Sequence, residues 1–338
     1  MSSIHKSFLE PFFIEMNKKF DKEWCVLHSY ETLPNYSESD VDMAFSGTDI
    51  DALEALILEI AKNEGWTLYQ KLWYDSEQCF YYVLKENEKD IELAIDFLID
   101  RKGVGKYGFE TTKLTADCNR WNEIVPIPNS SVAFSYKLVK RIVKQRDISL
   151  DKEYLTGHLE KADRGEVEEI LKNQFGEQGL TLLNPYLKET NFLISEKDST
   201  DLNNMKKKKG LEKFYWEKVR TLNRIMYPRG MIITTPKLEE NDLVLFVEKL
   251  SEKVGLIFRF VKRNDSNSLA KNMKALIGST LIINQEEKFN NSKAMKSHWL
   301  GSSNHAVLVT EESLVNMEIL ADIYYRAILD ALLVRNRF

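Results

Sequence analysis

Trp24-Cys25-Val26-Leu27-His28-Ser29, then a ten-residue gap, then Asp40-Val41-Asp42-Met43-Ala44-Phe45, is the stretch on which the fold is read. The first run is a short apolar strand, and the Pro- and Asn-bearing segment after it is a loop. The second run alternates, so residues two apart share a face. Asp40 and Asp42 project together, while Val41 and Met43 turn to the core.

Outward from this stretch the pattern stays mixed. Ile4, Phe8, Phe12, Phe13, Met16 and Phe20 have near-helical spacing, with Pro11 expected to interrupt any single helix. Residues 50–64 carry the period of an amphipathic helix stopped by Gly65, and strands are expected over 66–73, 78–86 and 91–99. From 129 to 186 the pattern is helical, over 132–144, 154–161, 165–175 and around Leu180. The polar run 195–210 reads as a linker. Beyond it come helices over 211–226, 241–253, 268–276 and 312–333 and strands over 231–235, 256–261, 280–284 and 306–310. That alternation argues for βαβ units and a mainly parallel sheet, and the whole for an α/β protein.

At 338 residues the chain exceeds one comfortable core, so internal boundaries are expected. With 43% hydrophobic and 29% charged residues it has the composition of a globular protein, and no apolar run is long enough to cross a bilayer. The beginning of the chain has no secretory signal, so a cytoplasmic protein is expected. Three scattered cysteines, Cys25, Cys79 and Cys118, suit neither a disulfide framework nor a zinc knuckle. A net charge of −5 gives no general attraction to phosphate backbones, so no nucleic-acid partner is expected. The basic run MKKKKG at 205–210 lacks interleaved aromatics and reads as a solvated linker.

Two carboxylates on one strand face repel unless a cation joins them, and hard oxygen donors favour Mg²⁺. Asp96 supplies a third acid, set within the apolar run Leu93-Ala94-Ile95-Asp96-Phe97-Leu98, where a lone charge is costly to bury. The chemistry that uses such a cluster is nucleotidyl transfer with two Mg²⁺ ions and an NTP substrate. Asp40 and Asp42 are expected to hold the metal carrying the β- and γ-phosphates. Asp96 is expected to share a second metal and act catalytically on the acceptor, and Ser29 to bind the γ-phosphate. An Asp-x-Asp pair is also common as a solvated strand end.

These residues resemble the signature of the DNA polymerase beta-type nucleotidyltransferase superfamily, in which a strand ending in Gly-Ser is followed by Asp-x-Asp and a later strand with one acid. More narrowly, Trp24 to Pro34 followed by Ser39-Asp40-Val41-Asp42 is similar to bacterial proteins often encoded with surface-polysaccharide genes, which join such a domain to a thymidylate kinase-like region. The resemblance implies a nucleotidyltransferase-like domain at 1–125, a helical subdomain at 126–195 and a thymidylate kinase-like α/β domain at 211–338. It implies Ser29 and Ser39 as nucleotide contacts. The helix bearing Tyr136, Lys137, Lys140 and Arg141 then either closes over the nucleotide through Lys137 and Lys140 or is an ordinary helix with a solvated basic face.

The chain departs from that pattern twice. His28 stands where the superfamily has glycine, at a turn where a side chain crowds a triphosphate. Arg229-Gly230-Met231-Ile232-Ile233-Thr234-Thr235-Pro236 corresponds to the segment that leads into a phosphate loop, yet continues as Lys237-Leu238-Glu239-Glu240-Asn241-Asp242. The C-terminal region is therefore expected to have lost ATP binding and to serve structure or a protein partner. Gly103-Val104-Gly105-Lys106-Tyr107-Gly108 is glycine-rich but leads into no convincing helix, and reads as a hairpin or substrate loop. The expected activity is transfer of NMP to an unidentified sugar, small-molecule or protein acceptor. The alternative is a non-catalytic assembly or regulatory protein on the same fold.

Overall fold

The computed structural model describes residues 3–75, 79–89, 91–189, 192, 194–206, 210–226, 231–255, 260–263, 280–286, 295–296, 304–305 and 316–335. The expected helix at 268–276 and the expected strand at 306–310 lie outside them. The elements are α1 (Lys6–Lys19), β1 (Trp24–Val26), β2 (Val41–Phe45), α2 (Ile50–Asn63), β3 (Trp66–Asp75), β4 (Cys79–Glu86), β5 (Glu92–Leu98), α3 (Thr111–Thr115), β6 (Asn119–Trp121), β7 (Val125–Ile127), α4 (Ser130–Lys144), α5 (Lys152–Lys161), α6 (Arg164–Glu189), α7 (Glu196–Met205), α8 (Gly210–Met226), β8 (Met231–Pro236), α9 (Glu240–Val254), β9 (Phe260–Arg263), β10 (Thr280–Glu286), β11 (Met295–Lys296), β12 (Asn304–His305) and α10 (Met317–Arg335). The chain is α/β and divides into two compact units. One comprises Met1–Thr67, Trp73–Tyr81 and Glu86–Lys218; the other comprises Leu68–Leu72, Tyr82–Lys85 and Val219–Phe338.

One five-stranded sheet has the order β1-β2-β5-β4-β3. β1 pairs antiparallel with β2, and β2 runs parallel to β5, with Val41 opposite Ile95, Asp42 opposite Asp96 and Met43 opposite Phe97. All five residues of β2 are buried, because helices cover both faces. On one face α1 stacks Phe13 against Trp24 and sets Phe12 edge-on to Phe97. On the other, Cys25, Leu27, Ala44 and Leu98 share one apolar cluster with Phe134, Leu138 and Ile142 of α4, Leu155 of α5, Leu171 of α6 and Leu202 of α7. Asp42 and Asp96 lie two and two residues from Ala44 and Leu98 on their strands, so the pleat turns both toward the face that α4 covers.

Two local expectations are corrected, and the junction between two expected helices is located. Pro11 sits inside a single helix, because Phe8, Phe12, Phe13 and Met16 are fully buried and their packing outweighs one missing N–H donor. The run read as a linker is α7 over most of its length, capped by Ser195, whose Oγ accepts from the Asp198 amide, and anchored by buried Leu202. Lys206, just past the end of α7, donates to the Lys106 carbonyl. The two helices expected at 165–175 and near Leu180 meet at Gly176, whose φ of 76° and ψ of −179° is glycine territory and makes the kink in α6.

In the second unit β8, β10 and β9 run parallel in that order, and β11 joins β8 antiparallel with β12 outermost. The connection from β8 to α9 is only residues 237–239, and the first turn of α9 carries Glu240 and Asp242.

Candidate active site

Asp42 and Asp96 stand at the same step of neighbouring parallel strands, and Asp40 lies one residue before β2 begins. Each of the three offers a carboxylate oxygen, and these oxygens lie within 4.8 Å of one another. Asp42 is buried, at 8% exposure, while Asp40 and Asp96 are half-buried.

The acids face a basic helix. α4 is capped by Asn129, whose side chain accepts from the Val132 amide, and ends at Gln145 in a left-handed conformation. Between the caps its apolar residues face the core, which leaves Lys137, Lys140, Arg141 and Lys144 at helical spacing along the edge of that face. Lys137 and Lys140 are each 9% exposed, and lysines are rarely that buried unless paired. A cleft of about 370 Å³ lies between these helical cations and the three carboxylates.

The contacts explain the burial. Lys140 Nζ is 2.8 Å from Asp42 Oδ1 and 2.8 Å from His28 Nε2, and His28 Nε2 is 2.9 Å from Asp42 Oδ2. The imidazole nitrogen serves the carboxylate as a donor or the ammonium as an acceptor, and it cannot do both at once. The other ring nitrogen is 3.1 Å from Ser29 Oγ. Ser29 has a φ of 57°, a left-handed conformation uncommon for a residue with a side chain, at the turn that leaves the strand. Lys137 pairs with Asp151 Oδ1 at 3.4 Å and lies over the Tyr154 ring, and Arg141 Nε donates to Asp151 Oδ2.

Burial pushes the Asp42 carboxyl up, but His28 and Lys140 outweigh it and hold the group well below the usual carboxylate range. Burial and the neighbouring Asp42 charge both raise Asp40. Burial, with Lys140 adding to it, lowers the Lys144 ammonium to about 8. Burial lowers His28 against the pull of Asp42. The cleft therefore has one carboxylate fixed as an anion, a second that takes a proton more readily, and one lysine whose charge is labile near neutral pH.

All seven residues singled out in the sequence, Asp40, Asp42, Asp96, Ser29, Ser39, Lys137 and Lys140, line this one cleft. Ser39 Oγ donates to the Asp40 carbonyl at 3.4 Å. Sequence reasoning missed Lys144, Arg146, Tyr107 and Asp151, which also line it. Lys144 follows Lys137 by seven residues on the same helix, and that spacing was the available signal. Asp151 gave none, since it comes from a 3₁₀ turn before α5.

The glycine-rich run 103–108 is a closed loop. The amides of Val104 and Gly105 donate to the two carboxylate oxygens of Asp100, at 2.8 and 2.6 Å. Asp100 is 1% exposed, so these amides already cap an anion of the chain's own and do not cradle a phosphate.

No family model matches the chain, and no curated protein matches it. Among solved structures, it is similar to a Helicobacter pylori protein assigned as a nucleotidyltransferase, with 12% identity and a TM-score of 0.29 over 64% of this chain and 97% of that one. It is also similar to JHP933 from the same organism, with 13% identity and a TM-score of 0.27 over 66% of this chain and 96% of that one. Among the described residues no helix is long and apolar enough to cross a membrane.

Proposed function

We propose that the chain is a Mg²⁺-dependent nucleotidyltransferase that moves NMP from an NTP to a hydroxyl or phosphate on a sugar, small molecule or protein. One observation carries this reading: three carboxylates with oxygens within 4.8 Å of one another, opposite a row of helical cations across one cleft. The donor set is all oxygen and anionic, which fits a hard divalent cation. Asp40 and Asp42 hold the cation that accompanies the triphosphate, and Asp96 orients the acceptor and takes its proton. Lys144 holds phosphate oxygens from the helical side, with Ser29 and Ser39 as further contacts in the same cleft. When bound, Mg²⁺ neutralises charge growing on the attacked phosphorus and lowers the pKa of the attacking hydroxyl. The resemblance in the sequence favours a role in surface-polysaccharide synthesis, with a sugar among the candidate acceptors. The three-residue connection from β8 to the acidic start of α9 leaves no room for a phosphate loop, which supports a structural or protein-binding role for residues 211–338.

A second reading, a non-catalytic assembly or regulatory protein, is favoured by Asp42 having both oxygens satisfied by His28 and Lys140. Incubation with each of the four NTPs and Mg²⁺ separates the two. Pyrophosphate release that falls about 10²-fold or more in Asp96→Asn supports the enzyme. Absence of turnover and binding with all four NTPs removes it and leaves the second reading.

A further inference from the structure

Lys140 is one of the buried cations that line the cleft. Among the described residues its ammonium meets Asp42 Oδ1 and His28 Nε2, both at 2.8 Å, in a position where it is 9% exposed. We propose that Lys140 is a built-in counter-cation for Asp42, handed to an anionic ligand as Asp42 takes a divalent cation, so that cation and nucleotide enter the cleft as a coupled pair.

The coupling follows from buried charge and rests on the nucleotidyltransferase reading. Asp42 has both oxygens engaged, one by Lys140 and one by His28. A divalent cation arriving alone takes the carboxylate from Lys140 and leaves a buried ammonium opposite a second positive charge, which is costly. A phosphate arriving alone draws Lys140 away and leaves Asp42 as a buried anion next to Asp40 and Asp96. Arriving together, they satisfy both groups. Each ligand therefore raises the affinity of the other, as any thermodynamic coupling requires. The flexible four-carbon stem of lysine lets the head change partners without moving α4. Lys137 gives the contrast: it sits one turn earlier on the same helix but pairs with Asp151, so it does not compete for the cation.

The test titrates Mn²⁺ alone, followed by its spin resonance, into the full chain, Lys140→Met, Lys140→Ala and Lys137→Met, with thermal unfolding to confirm that each is folded. Both Lys140 variants are expected to bind Mn²⁺ at least about tenfold more tightly than the unaltered chain, and Lys137→Met to change affinity by less than about threefold. Mn²⁺ binding that is unchanged in both Lys140 variants, or that rises equally in Lys137→Met, overturns the proposal while leaving the metal site standing. Absence of Mn²⁺ binding in all four proteins overturns the nucleotidyltransferase reading and this proposal with it.

Discussion

Asp42 and Asp96 face each other across the parallel pair of β2 and β5, at the same step of the register. Side chains alternate faces along a strand, so a slip of one residue between these strands would send Asp96 to the face that α1 covers. The register is held by the apolar residues around it. Phe97 packs on Phe12, and Leu98 lies in the cluster that α4 shares. The packing of a hydrophobic core thereby fixes the distance between two charges.

Neutralising the acids one at a time has opposite effects on stability. Asp42→Asn strands Lys140 and is expected to cost about 3–5 kcal/mol. Asp40→Asn relieves the repulsion that raises the Asp40 carboxyl and is expected to be neutral or to stabilise by up to about 1 kcal/mol. Urea unfolding of both variants in the absence of divalent cations measures the difference, and equal destabilisation would refute the assigned pairing.

The charge on Lys144 has a pH signature. With its ammonium lowered to about 8, mainly by burial, it loses its charge in the free protein above that pH. The expected result is a kcat/KM for NTP that falls above pH about 8, and a fall that disappears in Lys144→Arg, whose charge persists. A profile identical in the two proteins would take Lys144 out of nucleotide binding.

Two histidines away from the cleft make the fold acid-sensitive. Burial lowers both His5 and His158, and the Ser37 amide donates to His5 Nδ1, so protonation there breaks a hydrogen bond. Their folded values lie below the ordinary 6.5, so the unfolded chain takes up protons first as pH drops. Their contribution is complete above pH 6.5 and is lost as the pH falls through the folded values. Calorimetry at pH 7 and pH 5 is expected to give a Tm lower at pH 5, with the drop smaller by roughly 2–4 °C in the His5→Gln, His158→Gln double variant.

Asp100 holds the loop that brings Tyr107 to the cleft. Asp100→Ala leaves two buried amides unpaired and is expected to cost about 2–4 kcal/mol in urea unfolding.

What could be read from the sequence was periodic. The two-residue alternation put Asp40 and Asp42 on one face, the apolar frame of Asp96 marked it as a charge needing company, and helical spacing marked Lys137 and Lys140. What could not be read was distant or set by packing. Lys140 and Asp42 are 98 residues apart, and nothing local tells a buried lysine from a solvated one. His28 marked a departure from glycine, but its contact with Asp42 depends on how β1 and the following turn sit beside β2. Pro11 misled because local propensity was weighed without the five buried side chains of α1. The 195–210 run misled because its polar composition hid one anchoring leucine, Leu202.

On the proposed function, Asp40, Asp42 and Asp96 together take a divalent cation with a nucleoside triphosphate. Isothermal titration of each of the four NTPs with Mg²⁺ into the intact chain and into Asp96→Asn tests it most directly. At least one NTP is expected to bind the intact chain only when Mg²⁺ is present, and Asp96→Asn, still folded, to lose this binding by about tenfold or more. Binding that ignores Mg²⁺, or that survives unchanged in Asp96→Asn, would contradict it.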